Sequence, residues 1–324
     1  MSIPFLEHLT IPAIATLFTF VLGIVMGPFA IKLLHRIKFG QEIRDEGPAW
    51  HKKKSGTPTM GGFIFILPVT VVLLIFFRQD FRVVMMLYLA LAFGLIGFAD
   101  DYIKVVKKRN MGLSALQKFS MQLVASIIFV TLLYYNGLLG TSVILPFAGI
   151  SFDMGIWYLP FGVFVIVAFV NAVNLTDGLD GLATGVSIIV FVALVAIASK
   201  LGGESAFVFS LVCAGGLLAF LLFNRYPAKV FMGDTGSLFI GGAISAVAIL
   251  GGLAMVLVIV GLCYVIEIGS VVLQVASFKL TGKRIFKMSP LHHHFEMLGR
   301  TENQIAGMFV LLAAVCGVIG YMSV

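Results

Sequence analysis

A chain of 324 residues that is 60% hydrophobic and only 11% charged has more apolar surface than a water-soluble domain of that size can hide, so it reads as a polytopic membrane protein. The formal charge of +7 does not mark a nucleic-acid binder, because the basic residues follow membrane topology and form no groove. Cys213, Cys263 and Cys316 all lie in apolar runs, which argues against disulfides and against a thiolate metal site.

The first apolar run, 11–34, has Glu7 and no Lys or Arg ahead of it. That is a poor secretory leader, so the run reads as the first span. Further runs of spanning length fall near 60–77, 83–100, 117–136, 156–175, 183–199, 206–223, 237–252, 253–278 and 303–323, with the eighth and ninth divided at Gly251-Gly252. The expected fold is an all-α polytopic membrane protein, one integral membrane domain over 1–324, with about ten transmembrane helices. The loops 32–59, 101–118, 224–236 and 279–302 hold seven, five, two and five Lys or Arg, nineteen of the 22. The other side receives only Arg78, Arg82 and Lys200. Basic loops stay in the cytoplasm, which places both termini outside and puts any active-site cleft on the cytoplasmic face.

Polar clusters interrupt this pattern at a few places. HKKKSGTPTMGG, 51–62, offers Lys52, Lys53 and Lys54; stop-transfer charge explains the lysines but leaves GTPTMGG unexplained. FADDYIK closes the third span with Asp100, Asp101 and Lys104. The plain reading is a helix end with an i,i+4 ion pair. Two adjacent carboxylates at the negative end of a helix dipole nevertheless call for a cation, and hard oxygen ligands suit Mg²⁺ or Mn²⁺ better than zinc.

NAVNLTDGLDGLA, 171–183, carries Asn171, Asn174, Asp177 and Asp180 at steps of three. Each step turns about 300° on an ideal helix, so the set drifts through about 180°, too wide for one face. With Gly178 and Gly181 interleaved, a helix ending near Leu175 and turning into a tight loop is expected. FNRYPAKVFMGDTGSL, 223–238, contains Asn224, Phe231, Gly233, Asp234, Gly236 and Ser237. A glycine turn opening a helix exposes N–H groups that favour phosphate, with Ser237 as N-cap; Asp234 beside a phosphate makes sense if a metal mediates. Phe231 is either a base-stacking ring or an interfacial anchor. Glu267 lies mid-span and needs a cavity or a partner. In PLHHHFE, 290–296, three consecutive histidines cannot face one way, so one or two should enter a site as phosphate donors; zinc would need ligands that are not nearby.

FADD, NAVNLTDGLDGLA and GDTGS together resemble the polyprenyl-phosphate N-acetylhexosamine-1-phosphate transferase superfamily. GTPTMGG and PLHHHFE resemble its phospho-N-acetylmuramoyl-pentapeptide transferase family; relatives using UDP-N-acetylglucosamine usually interrupt the histidine run. The resemblance implies transfer of phospho-MurNAc-pentapeptide from UDP-MurNAc-pentapeptide to undecaprenyl phosphate, giving lipid I and UMP in peptidoglycan synthesis. It implies Mg²⁺, with Mn²⁺ as a substitute, at a multi-pass protein of the bacterial cytoplasmic membrane. It makes Asp100, Asp101 and Asp234 essential, with Asp234 a metal ligand, alone or with the other two, and gives His292, His293 and His294 to a catalytic loop. Asn171, Asn174, Asp177 and Asp180 would line the nucleotide side, Asp180 and Phe231 meeting uracil. Asn224, Gly233 and Ser237 join the substrate-binding set, and Lys52, Lys104 and Lys118 serve phosphate or nucleotide groups. A groove beside the ninth helix, near Glu267, is the expected seat of the prenyl tail, and the outer helices leave room for a homodimer. The alternatives are a sister transferase using UDP-N-acetylglucosamine, a lipid or solute transporter, and a membrane scaffold. A transporter would place its site near the midplane, and a scaffold leaves the clustered aspartates unexplained.

Overall fold

The computed structural model describes residues 3–37, 56–106 and 112–324. Lys52 and the basic residues 107–109 lie outside the described residues. The helices are α1 (Ile3–Arg36), α2 (Phe63–Phe77), α3 (Phe81–Val106), α4 (Ala115–Tyr135), α5 (Tyr158–Thr176), α6 (Leu182–Leu201), α7 (Glu204–Asn224), α8 (Gly233–Leu250), α9 (Ala254–Val260), α10 (Leu262–Thr281), α11 (Leu291–Glu296) and α12 (Glu302–Met322). Among the described residues nine helices are long and apolar enough to cross a bilayer, so the chain is a multi-pass membrane protein.

The tenth apolar run forms a shorter helix. α2 has 15 residues, about 22 Å, against about 30 Å of hydrocarbon. Its first turn is diverted because the glycines that precede it pair with another segment. Gly61 and Gly62 donate to Phe231 O and Met232 O at 2.8 and 3.0 Å, and Phe231 N donates to Pro58 O at 2.8 Å. A β-carbon on Gly62 would sit 2.6 Å from Gly236 Cα, so this approach of backbone to backbone needs glycine. GTPTMGG is therefore a brace for the 230–236 stretch.

The ninth run also departs from one continuous helix. α8 ends at Leu250 before Gly251-Gly252 as expected, but the chain then forms the short α9 and breaks at Gly261 before α10. A side chain at Gly261 would meet the Phe169 ring at 2.8 Å. The connection before α5 carries a two-stranded antiparallel hairpin, β1 (Ser142–Leu145) with β2 (Ile150–Asp153), which hydropathy alone does not reveal.

Lipid tails are as apolar as leucine, so the helices associate through close packing and internal hydrogen bonds. α8 is the centre of the bundle: nearly all of it is buried, and it packs most extensively against α3 and then α5. Small residues allow this. A β-carbon on Gly241 would come 2.6 Å from Val170 Cα, and one on Gly97 would strike the Asp234 peptide. Tyr158 donates to Ile249 O at 2.8 Å, and Ser187 and Tyr264 share a hydrogen bond at 2.8 Å. Each such bond contributes about 0.6 kcal/mol in a membrane protein. α4 and α12 start with full capping boxes, Ser114 with Gln117 and Thr301 with Gln304, which fixes where these helices leave the loops.

Candidate active site

The last turns of α3 and the first turn of α8 bring three carboxylates together. Asp100, Asp101 and Asp234 each present an oxygen within 4.8 Å of the others, though Asp101 and Asp234 are more than 130 positions apart in the chain. Asp101 accepts from Asp234 N at 3.2 Å, Thr235 N at 2.9 Å and Thr235 Oγ1 at 2.7 Å. The N–H groups that open α8 thus hold an internal carboxylate in place of a ligand's phosphate. Asp100 accepts from Leu113 N at 2.7 Å and pairs with Lys104 at 2.5 Å. Asp234 Oδ2 takes Lys104 and Lys118 at 2.8 and 3.0 Å, while its Oδ1 accepts from Asn174 Nδ2 at 2.8 Å.

Three carboxylates this close repel unless cations lie among them, and two ammonium groups leave one negative charge uncompensated. A hard, all-oxygen set with that residual charge fits a divalent cation of the Mg²⁺ type. Asp177 follows α5 and adds a fourth acid. Its carboxyl is pushed up to about 8, first by burial and then by repulsion from Asp234, Asp101 and Asp180. It is therefore largely protonated at neutral pH until further positive charge arrives.

The rest of the polar loop is held by its neighbours. Asp180 Oδ2 accepts from Ala228 N at 2.9 Å, and Asp180 N donates to Glu302 at 3.2 Å. Gly178 sits against the His292 ring, whose Cε1 would lie 2.8 Å from a β-carbon there. His292 is buried, with its Nδ1 3.2 Å from Glu267 Oε2 and its backbone N donating to Glu267 Oε1 at 3.2 Å. Its Nε2 has no hydrogen-bond partner among the described residues. His293 pairs with Glu296 at 2.6 Å, and His294 Nδ1 accepts from Lys287 N at 3.1 Å. The three histidines do point three ways, and the first faces the Asp177-Gly178 turn.

Beside the charged cluster a groove of about 1040 Å³ runs between α4 and α5. Lys118, Gln122 and Asn171 line one end, and Ile127, Val130, Val163 and Phe164 continue it as an apolar wall.

Residues 83–252 match the family model described as glycosyl transferase family 4, a stretch that contains all three clustered aspartates and the 171–183 loop. Residues 54–66, the glycine brace, match phospho-N-acetylmuramoyl-pentapeptide-transferase signature 1. The phospho-N-acetylmuramoyl-pentapeptide-transferase of Clostridium novyi (strain NT) is 46% identical over 310 residues, 95% of each chain. That of Clostridium perfringens (strain 13 / Type A) is 48% identical over 95% of this chain and 97% of its own. That of Caldanaerobacter subterraneus subsp. tengcongensis reaches 49% over 95% and 97%. The chain belongs to the phospho-N-acetylmuramoyl-pentapeptide transferase family.

Within this family member the structure gathers Asp100, Asp101, Asp234, Lys104, Lys118 and Asn174 at one point and sets Asp177 and His292 beside it. Ser237 is not the expected N-cap: Met232 holds that position, and Ser237 lies inside α8, where its hydroxyl donates to Gly233 O and accepts from Asn174. Gly233 has φ of +73°, and a β-carbon there would lie 2.6 Å from Asp101 Oδ2, so it shapes the turn. Asn224 is buried, accepting from Thr184 at 2.6 Å and donating to Val230 O at 3.0 Å, and it braces the 224–230 turn. Phe231 is partly buried, with its backbone on Pro58. Glu267 pairs with His292, and its neighbour Ile268 lines the α4–α5 groove. Gln122 escaped sequence reasoning altogether; its one signal was its place four residues after Lys118.

Proposed function

We propose that this protein transfers phospho-MurNAc-pentapeptide from its UDP carrier to undecaprenyl phosphate, releasing UMP and leaving lipid I in the cytoplasmic membrane. The observation that carries this reading is the convergence of three carboxylates and two lysines at the mouth of a lipid-sized apolar groove. One reactant is water-soluble and the other is membrane-bound, and the site stands where both can be presented. The names of the relatives support the muramoyl substrate over UDP-N-acetylglucosamine. The single domain over 1–324, the outward termini and a cleft open to the cytoplasm remain part of this reading. The orientation is supported by the nineteen basic residues in the loops assigned to one side.

Asp234, with Asp100 and Asp101 behind it, would hold Mg²⁺, or Mn²⁺ in its place. When bound, the ion neutralises charge on the diphosphate and on the departing UMP. The chain's own groups do the rest. Lys104 and Lys118, already aimed at Asp234, offset the repulsion between the acceptor phosphate and the diphosphate. An oxygen of the lipid phosphate forms a bond to the β-phosphorus as the bond to the bridging oxygen of UMP breaks. A phosphate monoester with a second pKa of about 6 is largely a dianion at neutral pH and attacks without a base. Asp100 and Asp101 are both held in hydrogen bonds, which favours direct transfer over a covalent aspartyl intermediate. Asn171, Asn174, Asp180, Phe231 and, by family resemblance, Lys52 would bind and orient the nucleotide sugar; His292 to His294 would flank the diphosphate.

The test uses purified protein in lipid vesicles with UDP-MurNAc-pentapeptide and undecaprenyl phosphate. UMP and lipid I should form with Mg²⁺, stop on chelation and resume when Mg²⁺ is returned. Turnover of UDP-N-acetylglucosamine but not of the muramoyl substrate would move the protein to the sister reaction. Transport of a lipid or solute without UMP release would overturn the enzyme reading.

A further inference from the structure

Gln122 lies on α4 one turn beyond Lys118, and Asn171 lies on α5 one turn before Asn174. The two carboxamides therefore make a neutral rung beneath the charged one formed by Lys118, Asn174 and Asp234. Their hydrogen bonds are unequal. Asn171 Nδ2 donates to Gln122 Oε1 at 2.7 Å and to Val167 O at 2.8 Å, whereas Gln122 Nε2 reaches Asn171 Oδ1 only at 3.4 Å. An amide nitrogen carries two N–H groups, so Gln122 holds one stretched bond and one N–H with no acceptor among the described residues, in a side chain 1% exposed. Asn171 by contrast has both of its N–H groups in short bonds.

Both carboxamides line the α4–α5 groove at its polar end. From Lys118 to Thr131 that groove follows α4 for about 20 Å, two thirds of the hydrocarbon thickness, with apolar walls beyond the rung. A ligand seated here must be apolar along its length and anionic at the end beside Lys118. A nucleotide is anionic but not apolar along its length, whereas a polyprenyl phosphate meets both conditions.

We propose that Gln122 binds the phosphate-bearing end of the lipid acceptor. Its spare N–H donates to a phosphate oxygen when the tail lies between α4 and α5, with Lys118 on the opposite side of the same phosphate. Asn171, tied to Val167 O, keeps the Gln122 amide turned toward the groove. The inference rests on the transferase reading above and adds a residue that selects for the acceptor alone.

The experiment compares wild type with Gln122→Met, which keeps the length but loses the donor, and Gln122→Glu, which sets a carboxylate against the phosphate. UMP release is measured with each substrate varied in turn at saturating amounts of the other. Gln122→Met should raise KM for undecaprenyl phosphate about tenfold to a hundredfold, as loss of a hydrogen bond to a charged group does, while KM for UDP-MurNAc-pentapeptide stays within about twofold. Gln122→Glu should raise it further. A merely structural role would move both KM values or kcat together. A second measurement does not need turnover: farnesyl phosphate should protect wild type against thermal unfolding more than farnesol does, and Gln122→Met should lose that difference. Lipid KM within twofold of wild type, or a retained farnesyl phosphate advantage, would overturn the assignment while leaving the transferase reading intact. Wild-type protein that releases no UMP with undecaprenyl phosphate would bring down both.

Discussion

Replacing Glu267 by Gln removes a single charge from the interior and leaves the shape unchanged. In the native protein the carboxylate accepts twice from His292, once from the backbone N and once from Nδ1, both at 3.2 Å, with the two side chains 0% and 1% exposed. A carboxylate only accepts, so Nδ1 carries the proton. A carboxamide cannot repeat this arrangement. If its oxygen takes the backbone N–H, its NH₂ faces Nδ1, which must shed its proton to Nε2. Nε2 abuts Gly178 and has no acceptor among the described residues, so the relocated N–H is buried unpaired. Loss of a charge-assisted bond costs about 1.5–3 kcal/mol, and an orphaned buried donor about 1–3 kcal/mol more. Glu267→Ala, which strands the imidazole, should cost about 3–5 kcal/mol. The expected result for Glu267→Gln is a lower thermal unfolding temperature in detergent and a UMP release rate reduced about tenfold or more, because the ring facing the Asp177-Gly178 turn changes its protonated nitrogen. A variant that unfolds like wild type and turns over at the wild-type rate would refute the reasoning.

Asp234→Asn takes away the charge that Lys104 and Lys118 share; UMP release should fall at least about a hundredfold to a thousandfold, the scale of one lost electrostatic element, in a protein that still inserts and unfolds cooperatively. Asp177 keeps its proton up to about pH 8 in the folded chain but only to about 3.9 when unfolded, so metal-free protein binds more protons folded than unfolded across that window. Its stability should decline as pH rises from about 4 to about 8 and level off above; thermal unfolding of Asp177→Asn should show a flatter pH dependence. Gly178→Ala drives a β-carbon into the His292 ring and should lower stability by about 1–3 kcal/mol, read by the same unfolding assay, with UMP release falling in parallel.

Hydropathy made most spans legible, because an apolar run and its charged flanks are local properties of the chain. The convergence of Asp100, Asp101 and Asp234 was legible in outline, since all three fall at helix ends on one face. What sequence could not give was the bonding between distant segments. GTPTMGG looked like an unexplained loop because its partner, residues 231–232, lies far along the chain. Ser237 looked like a cap because Ser near a helix start usually is one, yet α8 begins at Gly233, and Asp101 of another helix takes its free N–H groups. Asn224 shares its polar chemistry with Asn171 and Asn174, and nothing local announced its bonds to Thr184 and Val230 O. Glu267 stood out as a mid-span charge, but nothing local named His292 as its counterpart.

α8 is the most enclosed of the candidate spans, with 83% of its window buried, whereas α1, α4, α10 and α12 range from 22% to 33%. Asp234 therefore stands on a post set in the middle of the bundle, and Asp100 and Asp101 face it from α3, the helix packed most extensively against that post. A thicker or thinner bilayer is felt first by the peripheral helices and by the seam between α4 and α5. Changes of lipid environment should accordingly alter how readily the prenyl carrier arrives, while the anvil on which the two phosphates meet keeps its shape.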